Sequence, residues 1–349
     1  MNINKKLIGK NEEPFIIAEL SANHGGSLER AKKSIEAASK TGISAIKLQT
    51  YTPDTMTIKS DLPDFKISDG IWSGYTLHDL YAEAYTPFEW HKELFDHAKN
   101  LGVIIFSTPF DESAVDLLEE LDTPAYKIAS FEITDIPLIK YIAKKNKPIF
   151  LSTGMASETE IKEAVQTIRK ENDVDILLFH CISSYPTITE DSNLNNILWL
   201  SKNFDTHVGL SDHTTDNIAS ITAIGMGAVA IEKHFKLDDN ECGPDSTFSL
   251  NINQLENLVK DCNLAWVAKG QKKFFRPKSE EKNKVFRRSL YFVKNLSQGE
   301  IIKDTDIRRI RPGYGLAPNK YSYVIGKKVK QDVRRGDAVD LKLIEDCFF

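Results

Sequence analysis

Eight short apolar, β-branched runs punctuate the first 235 residues: PFIIAEL (14–20), AIKLQTY (45–51), VIIFSTPF (103–110), YKIAS (126–130), PIFLSTG (148–154), ILLFHC (176–181), HVGLSDH (207–213) and AVAIEKHF (228–235). Helix-like stretches separate most of them, among them SLERAKKSIEAASKTG, TPFEWHKELFDHAKNLG, DESAVDLLEELD, TEIKEAVQTIRKEN and TDNIASITAIGMG. Their apolar positions recur at three- and four-residue spacing, with Gly or Asn near several ends. Strand–helix alternation repeated eight times predicts an α/β fold of the closed (β/α)8 TIM barrel type. An open doubly wound sheet is the alternative, but no G-x-G-x-x-G follows the first strand.

At 349 residues the chain has room for such a barrel plus a small appendage. The predicted division is a barrel over 1–270, a charged linker over 271–288 (QKKFFRPKSEEKNKVFRR), and a small β-rich module over 289–349, where short apolar segments alternate with QGE, PGYG and RRGD turns. Thr52 to Thr86 exceeds the usual length of a βα loop and is expected to lie over the barrel mouth. The net charge of −5 hides an asymmetry: residues 271–349 hold 20 Lys and Arg against 10 Asp and Glu, the remainder 25 against 40. That basic tail lacks the aromatic–basic interleaving or finger spacing of a nucleic-acid binder, so it reads as a face that docks on an acidic partner domain. No apolar run approaches the ~18 residues of a membrane span, and no apolar h-region follows the basic N-terminus, which predicts a cytoplasmic protein without a membrane partner. The four cysteines form no C-x-x-C pair and predict reduced thiols, not a zinc site.

In a (β/α)8 enzyme the chemistry sits where strands end, so polar residues at those ends are the candidates. They are Glu19, with Asn23 and His24; Lys47 and Gln49; Ser107 and Thr108; Lys127 and Ser130; Ser152 and Thr153; His180, Ser183 and Tyr185; Ser211, Asp212 and His213; Glu232 and His234. Two lysines in one mouth repel unless an anion lies between them, which points to a phosphate or carboxylate ligand. Either lysine could instead form a Schiff base. His213 and His234, 21 positions apart, close adjacent strands, so both could reach one ion at roughly 2.0–2.3 Å. Glu19 ends the first strand facing the same mouth, as a general base or as a carboxylate paired with a lysine.

The segments IIAELSANHGG, AIKLQTY, FSTPFD, YKIASFE, LSTGMAS, HCISSYP, GLSDHT, AIEKHF and GPDSTFSL, followed by RPGYGLAP in the tail, resemble the sialic acid synthase family over nearly the whole chain. The insertion SGYTLHDLYAEAYTPFEWHKEL is similar to the pseudaminic acid branch of that family. The resemblance implies a transferase that condenses phosphoenolpyruvate with an open-chain amino sugar, giving a nine-carbon 2-keto acid and phosphate by C–O cleavage. For that branch the acceptor is 2,4-diacetamido-2,4,6-trideoxy-L-altrose; N-acetylneuraminate or legionaminate synthesis is the runner-up. It also implies an antifreeze-like (SAF) tail domain and a domain-swapped homodimer in which Arg311 reaches the partner's acceptor. His213 and His234 would hold a divalent metal, Mn2+ or else Co2+ or Mg2+, and Glu19 would be the base. Lys47, Lys127, Ser130, Ser152 and Ser211 would hold phosphate and carboxylate oxygens, and Gln49, Thr108, Glu132, Tyr185 and Asp245 would contact sugar or water. Ser183 stands where neuraminate-type members often carry Asn, so no role transfers to it. Two rival readings are a class I aldolase using Lys127 and a non-enzymatic carbohydrate-binding protein.

Overall fold

The computed structural model describes residues 1–240, 243–270, 274 and 276–345. Parts of the expected linker and the last four residues of the expected tail module, with Cys242 and Cys347, lie outside the described residues. The chain divides into two compact units, Met1–Gly270 and Gln271–Phe349.

In the first unit eight parallel strands close into a barrel in sequence order, the last pairing with the first. They are β1 (Phe15–Glu19), β2 (Ala45–Thr50), β3 (Ile104–Pro109), β4 (Tyr126–Ile128), β5 (Ile149–Ser152), β6 (Ile176–Cys181), β7 (His207–Asp212) and β8 (Ala230–His234). Each is followed by a helix that packs on the barrel: α1 (Leu28–Ser39), α2 (Phe88–Asn100), α3 (Glu112–Glu120), α4 (Ile136–Ala143), α5 (Glu158–Glu171), α6 (Asn195–Asn203), α7 (Ile218–Met226) and α8 (Ile252–Lys269). Side-chain caps start several of them. Ser27 accepts from Arg30 N, Asp111 from Ala114 N, and Ser157 and Asn251 form capping boxes with Glu160 and Gln254; each such cap is worth about 1 kcal/mol.

The strand period of two sorts the residues into two layers. Ile16, Ala18, Leu20, Ile46, Leu48, Ile105, Leu151, Leu178, Leu210 and Ile231 point outward into the core shared with the helices. Phe15, Ile17, Ala45, Phe106, Ala125, Phe150, Leu177, Phe179 and Ala230 form a separate cluster that fills the barrel. Three of its phenyl rings stack on the Phe150 ring, Phe15 at 6.2 Å, Phe106 at 5.1 Å and Phe179 at 5.9 Å between centroids. Gly209 is the small partner this plug requires, because a Cβ there would lie 2.6 Å from the Phe179 ring. The barrel is therefore closed by aromatics toward its N-terminal end, and its inward positions turn polar only toward the C-terminal end.

The second unit contains an antiparallel ribbon, β9 (Ser289–Phe292) with β10 (Ile307–Ile310), and isolated bridges such as Leu296–Val333 and Val329–Ile344. Leu290, Phe292, Ile302, Ile307, Val324, Val329 and Val339 form its own core. Arg311 follows β10 directly and is exposed.

Candidate active site

The inward positions at the C-terminal ends of β1, β2, β4 and β8 bring four charged groups together, all buried: Glu19, Lys47, Lys127 and Glu232. Lys47 Nζ lies 2.7 Å from Glu19 Oε2 and 3.8 Å from Glu232 Oε1, and Lys127 Nζ donates to Glu232 Oε1 at 3.0 Å. Ser211 Oγ donates to the same Glu232 oxygen at 3.1 Å, and Lys47 Nζ donates to Thr108 Oγ1 at 3.2 Å. The anion between the two lysines is thus a carboxylate of the chain itself, Glu232, which the sequence reading placed at a strand end but gave no role. Alternation would have found it, since it stands two positions before His234 on one strand and faces the same way.

Burial pushes the Glu232 carboxyl up, but the Lys127 and Lys47 ammoniums outweigh burial and hold it below the ordinary glutamate range. Glu19 moves the other way: burial raises it, and the Glu232 charge adds to this against the pull of Lys47. Gln49 Nε2 donates to Glu19 Oε1 at 3.0 Å and to Ser21 Oγ at 2.8 Å, which fixes the carboxylate's orientation. Burial dominates at Lys127 and lowers its pKa, whereas at Lys47 the two carboxylates overcome burial and raise it.

His213 and His234 emerge from β7 and β8 with ring centroids 5.4 Å apart, so the two imidazoles do meet in the mouth. His213 Nδ1 is 2.9 Å from the Ile182 carbonyl, so Nδ1 carries a proton; burial would lower this ring, but Cys181 and that carbonyl outweigh it and raise its pKa, and Nε2 is a donor of electrons only in the neutral form. His234 Nδ1 is buried without a hydrogen-bond partner, 3.8 Å from Asp245 Oδ2. Burial, then the His213 ring and the two lysines, hold His234 well below the usual histidine value, as a neutral imidazole. Asp245 is tied to Ser21 Oγ, and burial raises its carboxyl.

Around this centre Ser130 Oγ accepts from Gly154 N at 3.1 Å, and Ser152 Oγ is buried with no partner. A Cβ on Gly154 would collide with Ser183 Oγ and come within 2.7 Å of Ser130 Oγ, so any larger residue would have to displace those hydroxyls. Glu132 lies on the turn after β4; burial pushes it up to about 7, and its Oε2 has no partner. Tyr185 packs on His213 at 4.4 Å between ring centroids. Besides the Glu19 carboxylate, which is paired with Lys47, polar atoms on Glu132, Ser152, Glu232 and His234 lack a hydrogen-bond partner at this end of the barrel, and each buried polar group without one calls for a partner.

Other strand-end residues turn away. His180 Nε2 bonds the Ser192 carbonyl at 2.7 Å, Ser107 and His91 both bond Thr50 Oγ1, and His24 packs its ring on Trp90 with burial lowering its pKa to about 4. Asp212 points outward to the buried Lys233 at 2.8 Å. Lys233 Nζ also donates to the carbonyls of Thr214 and Asp216, each at 2.7 Å, and Ser220 Oγ donates to Asp212 Oδ2 at 2.6 Å. A cavity of about 620 Å3 lined by Lys10, Asp175 and His207 opens at the opposite, N-terminal end, away from these groups.

A parallel eight-stranded barrel with its charged and imidazole groups gathered at the strand C-termini defines a barrel enzyme. The chain belongs to the NeuB family, whose profile matches residues 34–274, and a SAF domain matches residues 287–345. It is 44% identical over 329 residues to the pseudaminic acid synthase of Campylobacter jejuni strain 81-176, covering 94% of this chain and 96% of the relative. To the pseudaminic acid synthase of Helicobacter pylori strain 26695 it is 41% identical over 335 residues, covering 96% and 98%. The crystal structure of N-acetylneuraminic acid (sialic acid) synthetase from Leptospira borgpetersenii in complex with citrate superimposes with a TM-score of 0.73 at 29% identity, covering 81% of this chain and 94% of that one.

Proposed function

We propose that this enzyme is a pseudaminic acid synthase, a cytoplasmic transferase that joins phosphoenolpyruvate to 2,4-diacetamido-2,4,6-trideoxy-L-altrose. The observation that carries this reading is the joint presence, in one barrel mouth, of two buried ammonium groups and two converging imidazoles. Identity of 41–44% to two pseudaminic acid synthases over nearly the full chain supports the choice of acceptor.

The imidazole pair fits a divalent ion such as Mn2+. His213 presents a free ring nitrogen, the orphaned His234 Nδ1 awaits a partner, and Asp245 stands beside it. Among the described residues no group of three or more His, Cys, Asp or Glu is arranged to hold a metal ion, so the two imidazoles would be its only protein ligands and water and substrate would supply the rest. Bound there, it would act as a Lewis acid toward the sugar aldehyde. In the reaction, the double-bond electron pair at carbon 3 of phosphoenolpyruvate bonds to the aldehyde carbon as the C=O π bond opens and its oxygen takes a proton, water adds at carbon 2 with loss of a proton, and the resulting hydroxyl collapses to the 2-keto group as the carbon 2–oxygen bond to phosphate breaks. Lys47 and Lys127, with Ser130, Ser152 and Ser211, hold the phosphate and carboxylate oxygens. Glu19, oriented by Gln49, takes the proton of the attacking water. Thr108, Glu132, Tyr185 and Asp245 bound the acceptor side, and Arg311 is proposed to complete it from the partner subunit of a homodimer.

The test offers N-acetylmannosamine, the legionaminic acid precursor and the altrose derivative separately with phosphoenolpyruvate and measures phosphate release. The altrose derivative is expected to turn over best. Preferential use of another sugar overturns the acceptor assignment, and a lysine adduct trapped by borohydride overturns the mechanism in favour of Schiff-base chemistry.

A further inference from the structure

The insertion between β2 and α2 carries a small hairpin. Lys66 and Thr76 bridge antiparallel, Ile67 N donates to Tyr75 O at 2.9 Å, and Gly74 N donates back to Ile67 O at 3.0 Å. Gly70 and Gly74 take positive φ of 78° and 99° in its turn, conformations that favour glycine. Trp72 sits in that turn. Its Nε1 donates to the Pro244 carbonyl at 3.0 Å, in the loop after β8, and its ring lies 5.5 Å from Tyr185, in the loop after β6. Tyr185 in turn lies 5.2 Å from Phe248, which is 5.0 Å from His234. Three rings from three loops therefore form a continuous aromatic wall beside the imidazole pair, while the charged groups of the mouth come from β1, β2, β4 and β8.

We propose that Trp72 is a specificity-determining residue that, with Tyr185 and Phe248, selects acceptors that end in a methyl group, a deoxy carbon, over those that end in a hydroxymethyl group. This rests on the proposed function above. A sugar offers an aromatic wall only its C–H faces and methyl groups, and the one polar atom of the Trp72 side chain is already engaged by Pro244. A hydroxyl pressed against such a wall loses its water partners without a replacement, whereas a methyl group is buried favourably. The same hydrogen bond sets the indole beside the loop that carries Asp245, which faces His234.

The experiment compares wild type, Trp72→Ala and Trp72→Phe using 2,4-diacetamido-2,4,6-trideoxy-L-altrose and N-acetylmannosamine. It reads kcat/KM, or Ki against the first sugar where the second does not turn over, together with KM for phosphoenolpyruvate. Trp72→Ala is expected to lower kcat/KM for the deoxy sugar about 10- to 100-fold, the range a lost apolar contact spans. The value for N-acetylmannosamine and the KM for phosphoenolpyruvate should hold steady. Trp72→Phe, which keeps an aromatic ring but lacks the indole N–H, should preserve most of the preference. An equal loss for both sugars, in either variant, overturns the specificity role and leaves a general closing role. Wild type that uses neither sugar overturns the functional reading, and the proposal with it.

Discussion

Glu132 is the residue whose ionisation is most exposed to a simple test. Burial raises its carboxyl from 4.5 to about 7, so the folded state holds the proton more tightly than the unfolded chain does. The stabilisation is then fully present below about pH 4.5 and is lost as pH rises through about 7. Glu132→Gln is expected to abolish that decline, seen as a parent-minus-variant difference in denaturation midpoint that becomes steadily more negative as pH rises across the window. A constant difference would place the carboxyl in water. His234→Ala is expected to weaken Mn2+ binding, read by direct titration of the ion, by at least the ~100-fold that loss of a supporting partner alone can cause; undiminished affinity would remove His234 from the site. Most candidate residues were legible because strand ends can be read from apolar runs, but the runs alone pooled both faces. Period-two alternation separates inward Lys47, Gln49, Thr108, Lys127, Ser211 and Glu232 from outward Ser107, His180 and Asp212. Trp72 gave no such signal, because its partners Tyr185 and Pro244 lie more than a hundred positions away.

At the scale of elements, the alternation that turns His213 and His234 inward turns Asp212 and Lys233 outward, each next to one imidazole in sequence. Asp212 and Lys233 are register partners across β7 and β8, so their ion pair joins the two strands behind the imidazoles, and Ser220 ties α7 to the same carboxylate. Lys233→Met leaves a buried carboxylate without its cation, which typically destabilises by about 3–5 kcal/mol. The urea midpoint should fall accordingly, and Asp212→Asn combined with Lys233→Met should recover much of the loss. A single variant as stable as the parent would show that the pair contributes nothing net. The eight strands and their helices could be read from sequence because each strand is an apolar run and each helix has its own periodicity. The 52–86 insertion could be assigned a place but not a shape: its hairpin is set by turn glycines and by contacts with loops distant in sequence.

For the whole molecule, the opposite charges of residues 1–270 and 271–349 and the exposed Arg311 bear on the proposed swapped homodimer, in which each tail serves its partner's barrel. Subunit mixing separates that arrangement from one in which a tail serves its own barrel. His234→Ala damages the barrel and Arg311→Ala the tail, so each variant alone should lose activity, the second chiefly through acceptor KM and kcat. In a mixed swapped dimer one site combines both defects, while the other pairs the intact barrel of the Arg311 variant with the intact tail of the His234 variant. Equal amounts of the two, unfolded and reassembled together, should therefore regain roughly a quarter of parental activity if dimers form at random. If each tail completes its own barrel, every site in the mixture carries one defect and no activity returns, whatever the strength of association. Ionic strength supplies the control. Should the basic tail be drawn to an acidic barrel mainly by charge, raising salt during reassembly should reduce the recovered fraction, since screening shortens the reach of exposed charges to about 3 Å at 1 M; recovery indifferent to salt would assign the docking to apolar contact instead.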